Sequence, residues 1–425
     1  MTGDSDEAAV QPAERWAELI LVGPDGAVIG RLPPVPAGTQ WWPEVETVVR
    51  AVRERHGCDV TILRLLTAER PRMPGSGGSV TYLAEVAAPV ACAPSAAVLH
   101  DHPLRTHYAK PGGPKADLDW ARSVLALHGL VATAPAVQIK TWNLSSLWRI
   151  PVGADDVWLK AVPHFFRHEG ALIDALSAGG HVPQLLGFEP GRLLMRAIPG
   201  EDLWDATLDQ RYAMIDLLVG LQRAWTPRVD ELLALGVADW RAPALIPAIA
   251  AVFERTRHEL STADARAVAQ FIHGLDARFT SIDRCGIPDS LVHGDFHAGN
   301  VRGHSGNARG LSEDPRGGAA QLTMLDWGDA GVGQPLLDQR ACVDRAPPPL
   351  RSALRDHWEA QWHGVYPACD PTRAWDLLAP VEAARGAVVY RMFLDNIEPS
   401  EHPYHRDDPR EQLQRVAAIV RLEDD

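Results

Sequence analysis

The chain has 425 residues, 46% of them hydrophobic, and its 41 basic and 55 acidic side chains give a net charge of −14. This length fits two or three domains, and the hydrophobic fraction is enough for packed cores, which excludes wholesale disorder. No run of 18 apolar residues is present, so the sequence predicts no membrane span.

The acidic charge is concentrated in the second half of the chain. Residues 199–425 hold 23 basic and 35 acidic side chains, whereas residues 1–198 are close to neutral. Such acidity disfavours nucleic acid and anionic membranes as partners and favours a cationic ligand, with solubility as the alternative explanation. The five cysteines are scattered singly, so no disulfide framework or structural zinc is expected. The acidic start of the chain lacks an apolar signal region, and we expect a cytoplasmic protein.

The first part of the chain predicts a small accessory α/β domain over residues 15–95, preceded by a disordered tail over 1–14. Apolar stretches around a Pro/Gly turn predict a hairpin at 17–32, and valines spaced three and four apart predict a helix at 42–57. Apolar residues also predict two strands, at 59–66 and 79–86. A stretch rich in Pro, Ala and Gly at 96–114 predicts a linker.

The predicted helix of this domain ends in Arg50, Glu54 and Gly57, with Ala51 and Arg55 between them. Arg50, Glu54 and Gly57 are similar to residues of the Nudix signature. In that signature, several carboxylates on one helix converge on divalent metal. Ala51 and Arg55 stand where two of those acids belong, and one carboxylate beside an added arginine cannot hold the metals of pyrophosphate chemistry. We therefore expect a degenerate Nudix-like domain, and Nudix-type pyrophosphate hydrolysis is disfavoured.

Residues 115–198 predict a helix and then a small β-rich lobe, with three strands and a second helix at 138–142, 146–150, 157–162 and 164–178. Glu169 shares the apolar face of the second helix, where an unpaired carboxylate is costly. Lys160, on the preceding strand, is the candidate cation for Glu169. The alternative is that both side chains lie on the surface without contact.

Residues 199–425 predict a mostly helical region that contains the most specific signal in the chain. The segment SLVHGDFHAGNVR (290–302) is followed by QLTMLDWGDAGVGQPLLD (321–338). Phosphoryl transfer needs a carboxylate that orients a hydroxyl and receives its proton, and Asp295 fits this need. It also needs oxygen ligands for Mg²⁺, and Asn300 and Asp326 fit. The spacing from Asp295 to Asn300 equals that of the kinase catalytic loop.

Through these two segments, and more loosely through Lys160, Glu169 and the segment LLMRAIPGEDL, residues 138–340 resemble the aminoglycoside phosphotransferase/choline kinase-like superfamily. The resemblance implies an α+β, bilobal protein-kinase-like fold. Its small β-rich N-lobe would span 115–198 and its helical C-lobe 199–425, after the accessory domain. It also implies ATP and Mg²⁺ as cofactors, with ATP between the lobes.

The resemblance further implies a role for each matching residue. Asp295 would be the catalytic base, and Asn300 and Asp326 would hold Mg²⁺. His293 and Asp338 would support the catalytic loop. The residues expected to bind ATP lie on the N-lobe and the linker between the lobes, namely Lys160, Glu169, Ser145, Ser146, Arg196 and Ile198.

The sequence departs from the family where Gln334 replaces the aspartate of a common Gly-Asp-Pro motif, and a Gly-rich segment at 303–320 is predicted to be a mobile surface insert. We predict an ATP-dependent phosphotransferase that moves the γ-phosphoryl group to a hydroxyl of a small molecule. The acceptor would be an aminoglycoside, an amino alcohol or a sugar-like compound, and a cationic one is favoured by the acidic second half. The alternative is a catalytically weak, ATP-binding regulatory protein of the same fold.

Overall fold

The structure is a computed structural model that describes residues 15–69, 75–88, 90–304 and 322–424. The predicted tail, 1–14, lies outside these residues, and so does the predicted insert apart from Gly303 and His304. No helix in the described ranges combines the length and the apolar composition needed to cross a membrane. The fold is α+β, as predicted, and it divides into two compact units.

The first unit contains the described residues up to Pro163 together with Asn396–Arg406. Its elements are β1 (Arg15–Val22), β2 (Val28–Pro36), α1 (Glu46–His56), β3 (Thr61–Ala68), β4 (Gly78–Glu85), α2 (Gly113–Leu127), β5 (Val137–Trp142), β6 (Ser145–Val152) and β7 (Asp155–Ala161). This order confirms the predicted mixture of strands and helices in the first part of the chain.

Four strands of the first unit form one sheet, in the order β2-β1-β4-β3. β1 and β2 make the predicted antiparallel hairpin, whereas β1 and β4 run parallel. Val48 and Val52 of α1 share a core with the buried faces of these strands, in which Trp42 and Tyr82 are fully buried. Gly57 ends α1 with φ of 66°, a left-handed conformation that glycine adopts without strain. The predicted hairpin, helix and strands are therefore confirmed.

β5, β6 and β7 form an antiparallel meander. Gln138 of β5 ties this meander to the four-stranded sheet, because its side chain donates to the carbonyl oxygen of Ile62 at 2.7 Å and accepts the N–H of Ile62 at 2.9 Å. The predicted domain boundaries stay a prediction. These two bonds join residues that the prediction assigns to different domains.

Asn396–Arg406, which we call the return segment, belongs to the first unit although it lies between two helices of the second. Arg105 donates to the carboxylate of Glu398 at 2.8 and 3.0 Å, and the buried Arg64 lies 3.3 Å from the same carboxylate. Tyr404 packs into the hydrophobic core of the first unit. The first unit therefore takes part of its core from a segment far along the chain.

The second unit comprises His164–Asp395 and the described residues from Asp407 onward, and it is mostly helical, as predicted. Its helices are α3 (Glu169–Leu176), α4 (Leu208–Trp225), α5 (Val229–Ala234), α6 (Ala242–Thr256), α7 (Thr262–His273), α8 (Leu275–Asp283), α9 (Gln339–Asp344), α10 (Arg351–Val365), α11 (Pro371–Asn396) and α12 (Asp408–Asp424). Thr207 and Gln210 form a capping box that starts α4.

The strands of the second unit are short. β8 (Leu185–Glu189) and β9 (Arg192–Arg196) form a hairpin. Two small sheets follow, with the strand orders β10-β13-β14 and β11-β15-β12. Their strands are β10 (Glu201–Asp202), β11 (Ala238–Asp239), β12 (Ser290–Val292), β13 (Val301–Gly303), β14 (Thr323–Met324) and β15 (Gly331–Gly333). These two sheets hold the segments that carry the phosphotransfer motif.

Candidate active site

The predicted catalytic loop connects β12 to β13 and is anchored at both ends by strand pairing. β12 is fully buried and pairs with β15, and β13 pairs with β14. Leu325, directly after β14, donates its N–H to the carbonyl oxygen of Asn300 at 2.8 Å. The pairing brings Asp295, Asn300 and the segment that carries Asp326 together in the second unit.

Asp338 is buried and binds the backbone of the catalytic loop. His293 and Gly294 donate their N–H groups to its two carboxylate oxygens at 2.8 Å each, and Gln222 of α4 donates to the same carboxylate at 3.0 Å. Burial raises the pKa of Asp338 to about 6, although the two backbone donors favour its charged form. Gly294 has φ of 92°, and a Cβ there would lie 2.2 Å from the carbonyl oxygen of Asp329, so this turn requires glycine.

His293 is completely buried and links the loop to the segment before Asp326. Its Nε2 lies 2.9 Å from the carbonyl oxygen of Leu325 and therefore carries the hydrogen, while Nδ1 accepts the N–H of Asp295 at 3.4 Å. Burial lowers the pKa of His293 to about 4, although the nearby Asp295 favours the charged form. A neutral ring with both nitrogens engaged favours a supporting role over proton transfer.

Both carboxylate oxygens of Asp295 have partners. Oδ1 lies 2.9 Å from Nη1 of Arg345, and Oδ2 lies 3.4 Å from Nε2 of His297 and 3.3 Å from Nδ2 of Asn300. Burial alone would raise the pKa of Asp295, but the hydrogen bond from His297 and the charge of Arg345 outweigh it and lower the pKa well below its usual value. Asp295 is therefore ionised at neutral pH.

His297 is buried next to an exposed tryptophan. Its Nδ1 accepts the N–H of Gly299 at 3.0 Å, so its hydrogen lies on Nε2, the nitrogen closer to Asp295. The ring centroids of Trp204 and His297 are 5.1 Å apart, and Trp204 is 60% exposed. A Cβ on Gly299 would lie 2.2 Å from the indole, so the absence of a side chain lets Trp204 lie against the loop.

Asn300 and Asp326 offer the oxygen ligands that Mg²⁺ prefers. Nδ2 of Asn300 donates to the carbonyl oxygen of Asp295 at 2.9 Å, which leaves the side-chain oxygen of Asn300 as the atom that can bind a cation. Asp326 is exposed and has φ of 61°, and no other non-glycine residue in the described ranges has a positive φ. This left-handed conformation costs roughly 1–2 kcal/mol and is typical of functional sites. The residues present therefore fit a Mg²⁺ ion that also binds substrate phosphates.

Three of the residues predicted to bind ATP belong to the first unit. Lys160 is half-buried on β7. Ser145 and Ser146 begin β6, and their hydroxyl oxygens accept the indole N–H groups of Trp142 and Trp148 at 3.2 and 3.1 Å. The two hydroxyls keep their own hydrogens for donation, so phosphate contact by Ser145 and Ser146 stays a prediction.

The other three residues predicted to bind ATP belong to the second unit. Glu169 is buried at the start of α3. Arg196 is exposed at the end of β9, and Ile198 is half-buried in the turn beyond it. The pairing of Glu169 with Lys160 stays a prediction.

Sequence reasoning missed three residues of the candidate site. His297 lies inside the segment SLVHGDFHAGNVR. Its position two residues after Asp295 could have indicated that its side chain lies near the carboxylate of Asp295. Trp204 directly follows the segment LLMRAIPGEDL, but an exposed tryptophan there has no distinctive spacing. No sequence pattern connects Arg345 with Asp295.

A helical unit in which two small sheets carry Asp295, Asn300 and Asp326 defines a kinase-like phosphotransfer fold. The chain belongs to the phosphotransferase enzyme family (APH), which residues 149–375, more than half of the chain, match. This assignment confirms the predicted superfamily and identifies the protein in general terms as a small-molecule phosphotransferase. No curated protein sequence matches the chain.

Solved structures of small-molecule kinases are similar to this chain. The choline kinase LicA from Streptococcus pneumoniae is 12% identical, with a TM-score of 0.50 over 72% of this chain and 99% of that one. An ethanolamine kinase of Plasmodium vivax is 12% identical, with a TM-score of 0.45 over 65% of this chain and 78% of that one. A spectinomycin phosphotransferase in complex with ADP and spectinomycin is 11% identical, with a TM-score of 0.45 over 72% of this chain and 98% of that one. The likeness to the choline kinase bears on the fold alone and agrees with the predicted kinase-like class.

Proposed function

We propose that the protein is an ATP- and Mg²⁺-dependent kinase that phosphorylates a hydroxyl of a small molecule, namely an aminoglycoside, an amino alcohol or a sugar-like compound. The observation that carries this proposal is the carboxylate of Asp295, contacted by His297, Asn300 and Arg345, in a loop whose backbone is bound by Asp338. A base that is oriented and unprotonated at neutral pH is what phosphoryl transfer to a hydroxyl requires. Membership of the phosphotransferase family supports the same reaction.

In the proposed reaction, Asp295 orients the acceptor hydroxyl and takes its proton as the oxygen attacks the γ-phosphorus in line. The bond between the acceptor oxygen and phosphorus forms while the bond from phosphorus to the β-phosphate oxygen breaks, and ADP leaves. Asn300 and Asp326 would hold Mg²⁺, which offsets the negative charge of the phosphates when bound. The proton that Asp295 has received is then released to solvent.

The nucleotide contacts belong to the same proposal. Lys160 would bind the phosphates and Glu169 would orient Lys160, as in protein kinases. The remaining contacts with ATP would come from Ser145, Ser146, Arg196 and Ile198. The accessory role of the N-terminal domain and the Nudix-like character of its helix stay predictions.

Two substitutions test the proposal. Asp295→Asn keeps the size of the side chain but removes the base, so Mg·ATP binding should stay nearly intact while transfer falls by roughly 10²–10⁴. Asp326→Ala removes a metal ligand, so both binding and transfer should weaken. Titration calorimetry with a non-hydrolysable ATP analogue measures binding. ADP release with a panel of amino sugars, amino alcohols and neutral sugars measures transfer.

Asp395→Asn is the matched control, because Asp395 is paired with Arg255 and is as exposed as Asp295. This variant should behave like wild type. Full turnover in Asp295→Asn would remove the kinase assignment of this loop. Mg·ATP binding without ADP release for any acceptor would favour the regulatory alternative.

A further inference from the structure

The partners of Asp295 limit where an acceptor hydroxyl can bind. Each oxygen of a carboxylate accepts about two hydrogen bonds. Oδ2 already faces two donors, Nε2 of His297 and Nδ2 of Asn300, whereas Oδ1 faces Nη1 of Arg345. Oδ1 has fewer protein donors, so we place the acceptor hydroxyl at Oδ1, the oxygen that Arg345 contacts.

Arg345 is suited to bind the acceptor as well as Asp295. It follows the last residue of α9, and its side chain is 48% exposed. A guanidinium group has five N–H donors in one plane, and the contact with Oδ1 uses only part of this set. A molecule that places a hydroxyl on Oδ1 therefore places its neighbouring substituents beside a fixed positive charge with further donors.

We propose that Arg345 is a specificity-determining residue, which favours acceptors with an oxygen or anionic group beside the reacting hydroxyl and disfavours those with an ammonium group there. This inference rests on the proposed kinase function and narrows its acceptor to sugar-like polyols and sugar acids. Substituents of a hydroxyl bound at Oδ1 lie only a few ångströms from the guanidinium. At such distances, the guanidinium repels an ammonium group of the acceptor even beside solvent. Its N–H donors can instead form a hydrogen bond with a neighbouring oxygen of the acceptor.

The acidic charge of residues 199–425 acts in the opposite direction, but it is spread over 35 acidic side chains along the sequence. Burial raises the pKa of Tyr390, and the charges of Asp408, Asp295 and Asp329 raise it further, whereas Arg345 lowers it, so other acids besides Asp295 lie in this part of the second unit. Salt screens exposed charges beyond about 8 Å at physiological ionic strength. Arg345 instead contacts Oδ1, where we place the acceptor hydroxyl, so we expect the local contact to decide between acceptors.

The test compares kcat/KM, measured by ADP release, for acceptors that differ in the charge beside a hydroxyl. One series is glycerate, glycerol and 3-aminopropane-1,2-diol, and a ring series is glucuronate, glucose and glucosamine. Wild type should use the anionic and neutral members at least about tenfold better than the amine of the same series. Arg345→Gln should lower this ratio by about tenfold or more, whereas Arg345→Lys, which keeps the charge, should retain the preference.

Arg255→Gln is the matched control, because Arg255 is 47% exposed and pairs with Asp395, which is as exposed as Asp295. This variant removes an arginine of nearly equal exposure that pairs with Asp395 and not with Asp295. It should leave the ratio of kcat/KM between the acceptors unchanged. A preference for the amines in wild type, or the same ratio in Arg345→Gln, would overturn the inference while Asp295-dependent turnover still supported the kinase. If no acceptor, including the aminoglycosides, gave ADP release that depends on Asp295, both the kinase function and this inference would fail.

Discussion

The carboxylate of Asp338 accepts the backbone N–H of Gly294 at 2.8 Å, one residue before the proposed catalytic base. Arg385 of α11 donates to the carbonyl oxygen of the same glycine at 2.9 Å. Both polar groups of Gly294 are thus held by buried side chains from other parts of the second unit. The position of Asp295 therefore depends on residues that touch neither acceptor nor nucleotide in the proposed reaction.

Asp338→Asn tests this dependence. The amide replaces one carboxylate oxygen by an NH₂ group, which would face a backbone N–H donor and leave it unsatisfied. We expect the free energy of unfolding to fall by roughly 1–3 kcal/mol, and acceptor-dependent ADP release to fall by more than about tenfold as the loop shifts. Urea unfolding and steady-state rates measure the two effects. Glu231→Gln, which removes an exposed partner of Arg228, should change neither, and normal turnover in Asp338→Asn would contradict the supporting role.

Two substitutions at Asp326 distinguish the effect of its left-handed backbone on stability from the effect of its carboxylate on metal binding. Asp326→Gly and Asp326→Ala both remove the carboxylate, but only glycine adopts φ of 61° without a steric cost. We expect the glycine variant to unfold with a free energy about 1 kcal/mol higher than the alanine variant, while both bind Mg·ATP equally weakly. Chemical denaturation and calorimetry give the two quantities. Normal Mg·ATP binding in either variant would remove Asp326 from the proposed metal site.

The neutral ring of His293 makes the second unit sensitive to acid. Its pKa is lowered from 6.5 to about 4 in the folded state, so its contribution to stability is present above pH 6.5 and is lost as the pH falls toward 4. Between pH 7 and pH 5, this loss amounts to about 2 kcal/mol. His293→Gln does not titrate, so its free energy of unfolding should decline less than that of wild type over this range. Equal declines, measured by urea unfolding at both pH values, would show that His293 is not the responsible group.

Glu401 in the return segment has the opposite pH dependence. Burial, and to a smaller extent the charge of the nearby Glu398, raises the pKa of Glu401 from 4.5 to about 8. The contribution of Glu401 to stability is therefore present below pH 4.5 and is lost as the pH rises through 8. Glu401→Gln keeps an uncharged side chain and should raise the free energy of unfolding by up to about 3 kcal/mol at pH 7 and by less at pH 5. The neighbouring Glu398→Gln is the contrast. It weakens the ion pairs with Arg64 and Arg105 and should destabilise the protein at both pH values.

The catalytic loop was predictable from the sequence because its chemistry is local. Asn300 bonds to Asp295 only five positions earlier, and the loop lies between apolar strands whose pattern is visible in the chain. The contact from Arg345 comes from an element fifty positions away, and a single arginine after a short helix has no periodicity that marks its partner. The hydrogen bond between Asn143 and His405 was unpredictable for the same reason, since neither residue lies in a motif. Patterns along the chain indicate elements and local sites, whereas the pairing of distant polar side chains is decided by packing.

The return segment also affects the order of events during protein synthesis. β1 to β7 emerge from the ribosome early, but Tyr404, which packs into the core of the four-stranded sheet, is translated only after α11. At about 5–20 residues per second, the delay is roughly 10–50 s. During that time Arg64 and Arg105 lack Glu398, and the apolar site that later receives Tyr404 stays open. The first unit therefore emerges before the second but completes its fold later, and its apolar site for Tyr404 stays exposed until the return segment has been translated.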